Sequence, residues 1–284
     1  LWTGPDAIEG FRITRIRNRD PEALAGAIRN TEIALLHYVN YGFHRRGVPL
    51  WIGEGVRAHP KLALIFHEIW SIEPPWRTGF YLSWLQKRLI LRLLSASIAA
   101  FASTLENTRL LTTTHHNRVQ WLPIPSAFTS SHRVSTKARA ALTLLLFGQT
   151  STRTLAVRKH ARLLRTLSQR GILNEVVVAG KGAHPYPEPS RDVALLGRLL
   201  PREHIRVIGQ IQDGEVFHHA DAYLSPHRAC DACNSSALMA ALAAGCPGIL
   251  SDRSDPAPLA DGTQVVICDG TPGAIDRIID MKSV

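Results

Sequence analysis

Six short apolar runs separated by helical stretches fill the second half of the chain, and this alternation narrows the possible folds more than any other feature. The runs are Leu142–Phe147, Glu175–Ala179, His204–Ile208, Ala222–Ser225, Gly248–Leu250 and Gln264–Cys268. Between them lie Arg153–Arg170, Pro189–Leu200, Gly214–His219 and Ser235–Ala244, which read as helices. Strands apolar on both faces and joined by helices specify a parallel sheet covered on both sides, a doubly wound α/β arrangement. Sheets of this kind bind ligands at the carboxyl ends of their strands.

Those ends carry glycines and cations. Gly148-Gln149-Thr150-Ser151-Thr152-Arg153 follows the first run, Gly180-Lys181-Gly182 the second, and Gly209-Gln210-Ile211 the third. A flexible backbone beside a positive charge suits a diphosphate, although a turn glycine is also an ordinary structural device. The stretch Asp221–Leu250 adds a strand, a polar loop and a helix. Asn234 or Ser235 can cap that helix, and Gly245 and Pro247 stop it. Its first backbone N–H groups form an electrostatic seat for an anion.

The run ADAYLSPHR…SSALMAALAAGCPGILSD resembles the donor-site signature of family 4 retaining glycosyltransferases of the GT-B fold. Ala220-Asp221, Ser225-Pro226, Met239, Ala241-Leu242-Ala243, Gly245 and Pro247 stand at matching positions. The resemblance spans Ile33 to Asp252 and implies two Rossmann-like parallel-sheet domains, the first incomplete, with the donor in the cleft between them. It further implies donor-binding roles for Gly148, Arg153, Lys181, Gly209, Asp231, Asn234, Ser235 and Ser236. Arg153 is the nearest match to the cation that grips the leaving diphosphate. Two departures stand out. The family carries two glutamates eight positions apart, where this chain has Ala232 and Ala240. The opening LWTGPDAIEG does not read as the first strand and glycine-rich turn of the family, so the chain is expected to start late.

The first half alternates in the same way but less regularly. Ile8–Arg17 reads as an edge strand, Asp20 caps a helix beginning at Pro21, and Ile33–Val39, Leu62–Phe66 and Val119–Pro125 read as strands. Leu62–Phe66 ends in His67-Glu68, the expected catalytic pair. In the resemblance His67 matches a histidine beside the donor sugar; the residues alone equally allow a satisfied strand-end histidine. Asn40 and Tyr41, after the preceding strand, and Trp76 and Arg77, in a Pro-rich loop, are the expected acceptor-binding residues. A sugar ring can stack on Trp76. Ser83–Phe101 reads as a Leu-rich helix with Lys87, Arg88 and Arg92; such a helix packs with one solvated face or lies on an anionic bilayer. Its end, Ser97–Ser103, is equally readable as a strand.

The expected domains are 1–125, on the acceptor side, and 138–284, binding the nucleotide sugar, joined by a Ser-rich linker at 126–137. The net charge of +10 suits nucleotide-sugar phosphates or an anionic membrane surface. No compact Lys/Arg run with interleaved aromatics speaks for nucleic acid. Four cysteines clustered in the last quarter are not a secreted disulfide framework. His227-x2-Cys230-x2-Cys233 has metal-like spacing but lacks a fourth ligand, so no metal is expected. No apolar run is long enough to span a membrane. The expected protein is a cytoplasmic glycosyltransferase for a glycan or lipid-linked acceptor, as in polysaccharide biosynthesis, able to lie against the inner membrane face. It needs no cofactor beyond its donor substrate, a nucleoside-diphosphate sugar. A catalytically degenerate GT-B relative, acting as a partner or glycan-binding subunit, is the alternative.

Overall fold

The computed structural model describes residues 14, 16, 18–71, 74–115, 119–124, 126, 141–211, 214–252, 256–268 and 271–281. Most of the expected Ile8–Arg17 strand and most of the 126–137 linker therefore fall outside the described residues. The chain divides into two compact units, residues 1–122 and 123–284.

The first unit holds a four-stranded parallel sheet: β1 (Ala34–Tyr38), β2 (Leu62–Phe66), β3 (Ser97–Ala102) and β4 (Val119–Trp121), in that spatial order. Ala34, Tyr38, Leu64, Phe66, Ala100 and Val119 point to one side, where the helices bury them with Ile52, Leu89, Ile90 and Leu94. Leu35 (56% exposed) lies on the opposite side of β1. Asp20 caps the helix Pro21–Ile28 as expected, its Oδ1 accepting from the Glu22 N–H at 2.9 Å. The long helix runs Thr78–Ala96 rather than from Ser83 to Phe101, and Ser97 begins β3. Pairing with β2 settles the residues that read either way.

One helix, Leu50–Arg57, is not evident in the sequence, because Gly53 and Gly55 weaken helical propensity. The structure shows their use. A Cβ at Gly53 would sit 2.6 Å from Leu89 Cδ1, and one at Gly55 would sit 2.9 Å from the Pro21 carbonyl. Both glycines let this helix press against its neighbours.

The second unit holds six parallel strands: β5 (Leu142–Phe147), β6 (Leu173–Ala179), β7 (Ile205–Gly209), β8 (Ala222–Leu224), β9 (Gly248–Leu250) and β10 (Val265–Ile267). Their order is β10-β9-β8-β5-β6-β7, so the chain starts in the middle, winds one way and then the other. Both faces are covered. Leu142, Leu144, Leu146, Val176 and Val178 face one core; Leu145, Val177, Ala179 and Tyr223 face the other. This is why these strands read as unbroken apolar runs.

The expected single helix Arg153–Arg170 is two helices, Thr150–Lys159 and Ala161–Gln169, broken at His160. The His160 ring is fully buried, and its Nε2–H donates to the Ser225 carbonyl at 2.9 Å. That bond ties the break to the end of β8. Among the described residues no helix is long and apolar enough to cross a membrane.

Candidate functional site

In the second unit the winding reverses between β5 and β8, which puts the ligand-binding position of such a sheet at their carboxyl ends. The three glycine corners gather beside it. Gly148, Gly180 and Gly209 all have positive φ (124°, 110° and 75°) and follow or end adjacent strands. Gly148 N–H donates to the Ala179 carbonyl at 3.3 Å, and Gly180 N–H to the Gly209 carbonyl at 2.7 Å. A Cβ on Gly180 would overlap the Gly148 carbonyl, so the first two corners approach this closely only because the second is glycine.

Arg153 locks these corners from below. Its side chain is 0% exposed. Nε donates to Asp192 Oδ2 at 2.6 Å; NH1 reaches the carbonyls of Gly148, Ala179 (3.4 Å) and Lys181 (3.2 Å); NH2 reaches Thr150 Oγ1 at 3.2 Å. The guanidinium is thus committed inside the unit, and what it offers a ligand is indirect: a fixed shape for two backbone corners. The exposed cation here is Lys181, which forms no side-chain ion pair among the described residues. Thr150 Oγ1 donates to the Gly182 carbonyl at 3.0 Å, a second tie between the corners. The helix Thr150–Lys159 begins without a side-chain cap, leaving its first N–H groups at the carboxyl edge of β5 without a side-chain acceptor.

The loop after β8 is a 3-10 turn, Ala229–Asn234, leading into the helix Ser236–Ala243. Ser235, not Asn234, caps that helix: its Oγ accepts from the Leu238 N–H at 3.2 Å. Ser235 is buried and Ser236 exposed at the first turn. Asp231 pairs with Arg228 Nε at 2.8 Å. Ala232 and Ala240 are both buried. Asp221 hooks β8 to β5 by accepting from the Thr143 N–H at 2.7 Å. The Ala-Asp dipeptide of the sequence signature is therefore a sheet fastening at the strands' amino ends. The ligand atoms of His227, Cys230 and Cys233 are not brought within the 4.8 Å of one another that a shared ion would need.

The first unit brings a different group together. His67 follows β2, and its Nε2 lies 3.0 Å from His37 Nδ1, the rings stacked with centroids 5.3 Å apart. One proton between two imidazole nitrogens makes one ring the donor and the other the acceptor. Burial lowers the His67 pKa below the ordinary histidine value, and the neighbouring His37 lowers it further. That shift favours the neutral form of the His67 ring, which offers hydrogen bonds rather than charge. His37 was not among the expected site residues, although it stands near the carboxyl end of the apolar run Ile33–Val39. Glu68 Oε2 accepts from the Tyr41 N–H at 3.4 Å.

Asn40 is fully buried, contrary to a role at an acceptor surface. Its Nδ2 donates to the Ile69 carbonyl at 2.7 Å and its Oδ1 accepts from the Tyr41 N–H at 2.8 Å, so it joins the loops after β1 and β2. Tyr41 is half exposed and Trp76 is 82% exposed. Arg77 is exposed at the amino end of the Thr78–Ala96 helix.

This architecture is similar to that of solved glycosyltransferases. A glycosyltransferase from Rickettsia africae ESF-5 aligns with a TM-score of 0.57 at 12% identity, over 96% of this chain and 77% of its own. TarM aligns at 0.58 and 7% identity over 92% of this chain, which spans 51% of TarM. Anabaena Alr3699/HepE, solved in complex with UDP and glucose, aligns at 0.54 and 13% identity, over 92% of this chain and 70% of its own. No protein-family model matches the chain, and no curated protein matches it by sequence. At these identities the shared property is the fold: α/β, with two Rossmann-like parallel sheets of the GT-B class.

Proposed function

We propose that this chain is a retaining glycosyltransferase that moves a sugar from a nucleoside-diphosphate sugar to a hydroxyl of a glycan or lipid-linked acceptor. The supporting observation is the gathering of Gly148, Gly180 and Gly209 at the carboxyl edge of a doubly wound sheet, next to its reversal point. A pyrophosphate meets there the uncapped start of the Thr150–Lys159 helix, the Lys181 ammonium and the first turn after Ser235. These groups oppose the negative charge that grows on the departing diphosphate, the largest electrostatic task in such a transfer. His67, neutral and held by His37, donates or accepts a hydrogen bond to a sugar hydroxyl. In this reading Arg153 shapes the seat without touching the ligand. The UDP found with HepE makes a uridine nucleotide the first one to test.

Buried alanines at 232 and 240, in place of the glutamates of the family, favour a second reading. The chain then keeps the fold as a partner or glycan-binding subunit and turns nothing over. Thermal unfolding in the presence of UDP- and GDP-sugars separates the two. A transferase is stabilised by its donor, by about 2.7 kcal/mol at a hundredfold excess over Kd. No shift with any member of the panel leaves the second reading standing.

A further inference from the structure

The first unit contains an open cavity of about 520 Å³ whose lining points to a ligand class. It lies between the basic loop after β1 and the beginning of the Thr78–Ala96 helix, and Tyr41, Arg45, Arg46, Thr78, Gly79 and Tyr81 line it. Among the described residues no carboxylate lines it. Arg45 and Arg46 are exposed and have no ion-pair partner among the described residues. The carboxylate that the structure ties to this wall, Glu68, accepts from the Tyr41 backbone. The remaining polar side-chain groups of the lining are the hydroxyls of Tyr41, Thr78 and Tyr81.

The walls are held in place from inside. Gln86, fully buried, donates through Nε2 to Tyr41 Oη at 3.4 Å and to the Arg46 carbonyl at 3.3 Å; its Oε1 accepts from the Ser71 N–H at 2.7 Å. Gly47 has φ +68°, and a Cβ there would lie 2.5 Å from Gln86 Nε2, so glycine is what lets the arginine loop settle on Gln86. His44 Nδ1 accepts from the N–H groups of Arg46 (3.3 Å) and Val48 (3.4 Å), fixing the loop's curvature. A buried glutamine, a left-handed glycine and a histidine cap thus fix the backbone behind two adjacent arginines. Two adjacent guanidiniums carried on that backbone, with hydroxyls around them, match a tetrahedral, multiply charged oxyanion. The volume falls within the range of about 300–1,000 Å³ typical of small-molecule sites, and the Tyr81 ring, more than half exposed, gives a sugar a face to stack on.

We propose that this cavity binds a phosphorylated sugar through Arg45 and Arg46. Naming that sugar the acceptor rests on the transferase reading; the binding itself does not. Its phosphate is either free, as in a soluble sugar phosphate, or esterified to a lipid, and the two sources separate experimentally. Glucose 1-phosphate and glucose are titrated into the full chain by calorimetry, and the chain is sedimented with phosphatidylcholine vesicles with and without phosphatidic acid. The same is done with the Arg45→Gln/Arg46→Gln variant, whose exposed side chains leave the core untouched. The expected result is at least tenfold weaker binding of the variant to glucose 1-phosphate or to the phosphatidic acid vesicles, with thermal unfolding and UDP affinity unchanged. A response in the first arm assigns a free sugar phosphate, and in the second alone a lipid phosphate. Glucose binding as tightly as glucose 1-phosphate where both bind, or no arginine-dependent binding in either arm, overturns the proposal. Because UDP binding is read separately, failure here is distinct from failure of the donor site.

Discussion

Substituting Arg153 by methionine tests whether this residue holds the fold or holds a ligand. Methionine keeps much of the side-chain volume but removes the charge. Asp192, also fully buried, then loses the guanidinium that compensates it, and the carbonyls of Gly148 and Lys181 lose a donor. Removing one side of a buried pair costs about 3–5 kcal/mol, a large share of the roughly 5–15 kcal/mol that holds a domain together. Replacing both members, Arg153→Met with Asp192→Leu, removes the orphaned charge and should recover about half of that loss; the unfilled carbonyls, at about 1 kcal/mol each, keep it from being complete. Urea unfolding of the wild type, both single variants and the double variant measures the cycle. If Arg153→Met costs less than about 1 kcal/mol while nucleotide affinity falls tenfold, the clamp account is refuted and Arg153 is a direct ligand.

Two further outcomes follow from the histidines. Burial lowers the His160 pKa to about 4, so the folded state prefers the neutral ring. Its stabilisation is complete above the unfolded value of about 6.5 and is lost as pH falls toward the folded one, about 2 kcal/mol between pH 7 and pH 5. His160→Asn should flatten that part of the stability profile; an unchanged profile would show that His160 is not buried and neutral. Replacing His37 by phenylalanine removes the smaller of the two causes that depress His67. The His67 titration followed by NMR should move partway back toward the ordinary value, since burial remains, and no movement would mean that the two rings do not meet.

The second unit was legible because its information is local. Runs such as LTLLLF are apolar at every position, and a residue buried from both sides announces itself that way. Ser235 and Gly245 mark helix ends through their own chemistry, whatever surrounds them. Orientation was not legible. A glycine corner followed by a cation looks the same whether the arginine points out or in; Asp192, 39 residues further on, decides for Arg153. The same holds for Asn40, which reads as a strand-end polar residue and is drawn inward by the Ile69 carbonyl 29 residues away. His160 broke a helix for a partner at Ser225, 65 residues distant. In the first unit, the reason for two glycines in the helix Leu50–Arg57 lies on Leu89 and Pro21, more than 25 residues away on either side.

Hydrogen exchange on the full chain, with UDP and GDP added in parallel, reads the seat amide by amide. Slowed exchange is expected at Gly148–Arg153, Gly180–Gly182 and Ser235–Leu238 with one of the two nucleotides, and no comparable slowing elsewhere in the second unit. Protection confined to other segments, or no protection with either nucleotide at millimolar concentration, would contradict the assignment of these corners to a diphosphate.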